Sequence, residues 1–161
     1  MLPEPIVTFD KPRAPARPLP AAFLTPLDMR KIGDRRWSLL EDLVFRSAKY
    51  RGLFIAPRGA EITLASIPRI AFTAFPPIGS YDRPAAIHDC GYGNALLTAH
   101  GDRIFTAKHV IDDLFLEGMI ADKTGRVTRT FMYRAVKIFG DPDGHPMREL
   151  DAGRVESQER R

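Results

Sequence analysis

Cysteine is almost absent: Cys90 is the single one in 161 residues. No internal disulfide can form, which fits a reducing compartment or a particle assembled inside a cell. The core must therefore stand on packing alone, and a chain of this length can supply it. Long apolar runs are missing too. Nothing approaches the roughly 18 consecutive apolar residues of a transmembrane helix, so no membrane span is expected. No basic segment followed by an apolar stretch opens the chain, so no secretory signal is expected. There is no phosphate-binding glycine loop and no zinc-finger spacing. Gly91-x-Gly93 lacks the third glycine and the preceding strand that a dinucleotide site needs.

What is present is ordinary bulk composition with an uneven layout. Apolar residues make up 44% of the chain, as in a folded protein, and the length suits one domain. Net charge is +4. Residues 1–20 hold three basic and two acidic residues, and residues 141–161 hold four and six, so the excess of positive charge sits between them. That excess is moderate and reads as a solvated surface; nucleic acid is not the expected partner. Residues 1–20 carry Pro3, Pro5, Pro12, Pro15, Pro18 and Pro20. Proline fixes the backbone and removes donors, so this arm is expected to be extended and to order on a neighbouring subunit. The expected organisation is an extended Pro-rich arm over 1–20, a single α+β domain over 21–140, and a polar C-terminal tail over 141–161.

Within the domain, Arg36 to Arg46 fits both a helical stripe and a broken alternation, and is read as a strand pair. Leu53-Phe54-Ile55 reads as a short buried strand. Ser66 is expected to cap a helix over Ile67 to Phe75 that Pro76-Pro77 ends. A second helix starts near Asp82 as N-cap, with Pro84 in its first turn. Leu96 to Ala99 and Arg103 to Thr106 flank His100-Gly101-Asp102, a hairpin with glycine in the turn. Thr106 is expected to cap a helix from Ala107 to about Ala121. A last helix covers about Val127 to Phe139, with Gly140 as a left-handed stop. Three main helices and short β hairpins result.

The chemistry-bearing residues gather on two of these helices. Ala85, His88 and Tyr92 share a face, with Asp89 beside Tyr92. Asp112 falls in line with Phe115, Leu116 and Met119. A carboxylate in an apolar stripe needs a partner, since an unpaired buried charge is costly. The expectation is a polar cluster of Thr63, Ser66, Arg69, His88, Asp89 and Asp112, with Tyr92 at its edge. One reading is a network that locks three segments together. The other is catalysis, with His88 as general base or metal ligand and Asp89 or Asp112 orienting it. No cofactor is required; a divalent cation is the one the cluster leaves open, and its ligand set is unknown. Cys90 reads as a small buried residue. His100, His109 and His145 read as surface histidines. Tyr133, Arg134 and Lys137 read as an amphipathic helix with a basic outer face.

Four blocks in order resemble the domain of unknown function 1353 family of bacteriophages and prophages. They are Phe23-Leu24-Thr25-Pro26-Leu27; Gly59 to Arg69, a Gly-x-x-Thr-Asp-x-Ala-Ser-x-Pro-Arg type of turn; Ala85 to Tyr92, an Ala-x-x-His-Asp-x-x-Tyr helix; and Asp112 to Met119 followed by Met132 to Gly140. Together they span roughly residues 23 to 140. This chain has Thr63 where the family usually has Asp, which weakens any carboxylate-dependent activity. The resemblance implies a phage setting and no settled activity. The expected function is a structural or assembly protein of the virion, in its tail or baseplate, made in the bacterial host cytoplasm. Its partners would be other virion proteins, met through residues 1–20. The alternative is a phage-encoded hydrolase acting on cell-envelope material through His88, Asp89 and Asp112.

Overall fold

The computed structural model describes residues 19–63 and 79–148. The Pro-rich arm, apart from its last two residues, lies outside these, as do Ser66, Arg69 and the helix expected over Ile67 to Phe75. The described residues form an α+β domain: six short strands, then three helices. The strands are β1 (Ala22–Phe23), β2 (Met29–Gly33), β3 (Arg36–Leu39), β4 (Leu43–Ser47), β5 (Gly52–Ala56) and β6 (Glu61–Ile62). The helices are α1 (Asp82–Tyr92), α2 (Lys108–Ala121) and α3 (Arg126–Phe139).

The strands make two antiparallel three-stranded sheets, in the orders β1-β4-β5 and β2-β3-β6. Arg36 to Arg46 is thus strand twice, as expected, but its two strands do not pair with each other. The link Leu40-Glu41-Asp42 contains no glycine or asparagine to fold back on itself. The chain instead passes from one sheet to the other, and Asp42 holds the backbone N–H of Arg58 at 2.7 Å. In β4 the alternation is clean: Leu43, Phe45 and Ser47 are buried, while Val44 and Arg46 are half-exposed. Phe45 lies opposite Phe54 of β5 and against the ring of Phe23 at 4.7 Å. The β2–β3 turn runs through Arg35 at φ 53°, and a register shift follows Lys31.

Helix α1 is the centre of the molecule. Nine of its 11 residues are buried. Small side chains make that burial feasible, because they let neighbours approach the helix backbone. A Cβ on Gly91 would stand 2.6 Å from Ile111 of α2. On its sheet side α1 contributes Ala86, Ile87 and Cys90 to a core with Leu39, Leu43, Phe45 and Ile62. On its other side Ala85 joins Phe115, Met119, Met132 and Val136 in a second, helical core. Pro84 sits in the first turn, as expected, with Tyr81 rather than Asp82 as the N-cap residue. Asp82 instead accepts the N–H of Gly79 at 3.1 Å and so fixes the approach to the helix.

Other boundaries differ from expectation. Helix α2 begins one residue late, after Ala107, and Thr106 does not cap it; a tightened turn from Val110 N–H to Ala107 C=O stands in its place. The glycine hairpin turn is present, with Gly101 at φ 87°, but its arms pair only through the bridge Leu97–Arg103. Leu97 also bridges Ile55, which hangs the turn from the edge of β5. Gly140 is not a left-handed stop: its φ is −69° and ψ 124°. Glycine is needed there for space, since a Cβ would collide with the Tyr92 hydroxyl and the Val136 carbonyl. The expected polar tail is docked in its first part. His145 is only 3% exposed, Met147 packs over Gly93, and Arg148 donates to the Asn94 side-chain oxygen at 2.8 Å.

Candidate functional site

The polar cluster forms where α1, α2 and the end of α3 meet. His88 and Tyr92 are one turn apart on α1, with rings 4.1 Å apart, and Phe115 covers the other side of His88 at 5.0 Å. Asp112 enters from the second turn of α2. Its Oδ1 accepts the Tyr92 hydroxyl at 2.8 Å and lies 3.1 Å from His88 Nε2. Its Oδ2 accepts Lys108 Nζ at 2.6 Å. Lys108 also donates to the Val136 carbonyl of α3 at 2.9 Å, which ties a third helix into the group. His88 and Asp112 are each 1% exposed, whereas the Lys108 side chain is 30% exposed and leads outward.

Electrostatics follow from this packing. Burial alone would raise the Asp112 carboxyl, but hydrogen bonds from His88, Lys108 and Tyr92 outweigh it and hold its pKa at about 2. Asp112 is therefore an anion at neutral pH and can only accept, so His88 Nε2 carries the proton between them. Burial, and then the bond donated to Asp112, push the Tyr92 hydroxyl well above the usual phenol range. Burial likewise pushes the Cys90 thiol far up, so it is a packed side chain and no nucleophile.

Asp89 points elsewhere. Its Oδ2 accepts the backbone N–H of Thr63 at 3.0 Å, and its Oδ1 lies 3.9 Å from His145 Nε2. The structure thus brings His88, Tyr92 and Asp112 together and sets Asp89 beside Thr63 in a neighbouring group. Asp112, not Asp89, orients His88. Ser66 and Arg69 lie outside the described residues. His100 and His109 are exposed, as expected, but His145 is not a surface histidine. Its ring stands edge-on to Tyr92 at 6.1 Å, and burial lowers its pKa despite the Asp89 carboxylate. Among the described residues, no group of three or more histidine, cysteine, aspartate or glutamate side chains is placed to hold a metal ion. Nor does any helix there have the length and apolarity to cross a membrane.

Several residues that bind the layers together were missed from the sequence. Asp113, next to Asp112, faces the sheet and accepts Lys49 Nζ at 2.5 Å, Tyr50 at 2.7 Å and Tyr133 at 3.1 Å. Burial would raise its carboxyl, and these donors bring it below the usual range. One turn on, Glu117 accepts the Ser47 hydroxyl at 2.6 Å and the N–H groups of Ala48 and Lys49 at 2.9 and 3.0 Å. Arg83 grips Asp122 with two donors and lies over the Phe23 ring. The signal was available for the first pair: Asp113 and Glu117 are four apart on one helix face, next to the apolar stripe.

A family model described as protein of unknown function (DUF1353) matches residues 37–136, and the chain belongs to that family. The matched span contains both sheets except β1 and β2, and all of the His88–Asp112 cluster. Neither a curated protein nor a solved structure matches the chain.

Proposed function

We propose that this member of the family is a structural assembly protein of a bacteriophage-type virion, a component of its tail or baseplate. It would be made in the host cytoplasm and built into the particle. The observation that carries the reading is the state of Asp112. All three of its donors come from the protein itself, it is 1% exposed, and His88 beside it is equally enclosed. A general base must reach a substrate proton. A histidine sealed between Tyr92, Phe115 and Asp112 is placed to lock α1 to α2, as buried polar networks do. Among the described residues no serine, threonine or cysteine hydrogen-bonds to His88, which a nucleophilic hydrolase of the serine or cysteine kind would require. The phage setting rests on the four sequence blocks, and the contact with neighbours is assigned to the arm at residues 1–20.

Mass spectrometry of purified particles tests the assignment: the chain should be present at a fixed stoichiometry, and its absence would overturn the reading. Removing residues 1–20 should leave a folded monomer that no longer enters particles. Hydrolysis of cell-envelope material by the purified chain, lost in His88→Gln with the fold intact, would replace this reading by the hydrolase one.

A further inference from the structure

The chain does not leave the domain at the end of α3. Gly140 passes close against the Tyr92 hydroxyl, and residues 141–148 fold back over the C-terminal end of α1. A turn opens this segment: the Asp141 carboxylate accepts the N–H groups of Asp143 and Gly144 at 3.1 and 3.2 Å. Arg148 fastens its far end, donating to Asp143 at 2.7 Å and to Asn94, just beyond α1, at 2.8 Å. Between these points Met147 packs on Gly93, and His145 sets its ring edge-on to Tyr92.

The two nitrogens of His145 are used unequally. Nδ1 accepts the Met147 N–H at 3.3 Å, so the neutral ring carries its proton on Nε2. Nε2 is buried and faces Asp89 Oδ1 at 3.9 Å, too far for a hydrogen bond, and no described residue accepts from it. A second proton can go only to Nδ1, where it would meet the Met147 N–H, donor against donor. The cation would also be sealed from water, which is costly. Around the ring, burial opposes the charge most; Asp89 favours it, and His88 and Arg148 oppose it. Tyr92 stays a neutral phenol, and α2 places Asp112 at its hydroxyl and Lys108 5.9 Å from its ring.

We propose that residues 141–148 are a pH-sensitive strap: neutral His145 holds the segment down on α1, and proton uptake at Nδ1 releases it, uncovering the Tyr92 ring and Gly93. The opposite outcome, an imidazolium drawn onto Asp89 and a tighter strap, is disfavoured by geometry. Nε2–H already faces Asp89 in the neutral ring, so the added proton brings no new donor to that side. What it brings is a donor on the Met147 side, where an acceptor is needed. The strap does not depend on the particle assignment; it would operate in a free chain as well as in an assembled one.

Two-dimensional NMR of the full chain between pH 7.5 and pH 4.5 tests this. The His145 ring should titrate with a midpoint below the ordinary value near 6.5. The amide signals of Gly93, Asn94, Met147 and Arg148 should move with the same midpoint, while those of β4 and the middle of α2 stay in place. The ratio of released to docked strap should rise by up to about tenfold per pH unit, as uptake of one proton requires. His145→Phe keeps a ring against Tyr92 but takes no proton, so its strap signals should not respond to pH. Met147→Ala loosens the strap without altering the imidazole, so the His145 midpoint should move up toward 6.5; this arm decides alone should His145→Phe not fold. Four results would each overturn the proposal: a wild-type His145 midpoint at or above 6.5; strap signals that stay docked throughout the range; strap and core signals lost together; or the same pH response in His145→Phe.

Discussion

Asp112→Ala removes the acceptor on which three donors converge. Lys108 keeps the Val136 carbonyl and a path to solvent. His88 and Tyr92 keep neither, because both are 1% exposed. Each of the two orphaned buried donors costs about 1–3 kcal/mol, so the variant should lose about 2–6 kcal/mol. The same anion sets an acid limit on the fold. Its folded pKa, about 2, lies below the ordinary aspartate value. A carboxylate with a depressed pKa contributes its stability above the unfolded value and loses it as pH falls through the folded one. For Asp112 the window runs from about pH 4 to about pH 2, and the contribution is roughly 2–3 kcal/mol. Asp113 titrates low as well, so the informative quantity is the difference between wild type and variant. Urea denaturation of both proteins at pH 7, 4 and 2.5 measures it. The wild type should lose part of its margin over Asp112→Ala as the pH drops to 2.5. A difference below about 0.5 kcal/mol at pH 7, or one that stays constant with pH, would refute the reasoning.

Three further outcomes follow from other parts of the fold. Glu117→Ala should cost about 2–4 kcal/mol in thermal or chemical denaturation, because it leaves the Ala48 and Lys49 N–H groups and the Ser47 hydroxyl without their acceptor. Gly91→Ala should destabilise by about 1–3 kcal/mol despite alanine's higher helix propensity, since its Cβ would press on Ile111; adding Ile111→Val should recover part of the loss. His145 is buried with a lowered pKa, so its contribution is present above the ordinary histidine value near 6.5 and falls as the pH drops below it. His145→Phe should therefore flatten the change in urea midpoint between pH 7.5 and pH 5, whereas an unchanged slope would place the titration elsewhere.

The helical half of the molecule was legible because helix signals are local. Pro84 in a first turn, the spacing of His88 and Tyr92, and that of Asp112 and Phe115 each act within a turn or two. The sheets were less legible. Whether Arg36 to Leu39 pairs with Leu43 to Ser47 depends on competing partners outside the segment, Met29 to Gly33 and Glu61–Ile62 for one strand, Ala22–Phe23 and Gly52 to Ala56 for the other. Nothing within the segment encodes that choice except the missing turn residues at Leu40 to Asp42. The cluster shows the same division. That Asp112 needed a partner could be read from its apolar stripe. That the partners were Lys108 and Tyr92 alongside His88, with Asp89 turned toward Thr63, follows from the rotation of α1 against α2, which the close contact at Gly91 sets. His145 was misjudged because a polar neighbourhood in sequence said nothing of the Tyr92 ring waiting in space.

Glu117 reaches the corner at Ser47 to Lys49 across 68 to 70 residues of sequence. Closing a loop of that length costs entropy before the carboxylate gains anything. The β4–β5 hairpin and helix α2 each arise from near neighbours, and the clamp between them can close only after both exist. Its place is thus on the far side of the folding barrier. Interactions made there leave the rate of folding almost untouched and slow the rate of unfolding. What looks like a fastening in a still picture acts in time as a brake: it decides how long the sheet and the helices stay together once they have met.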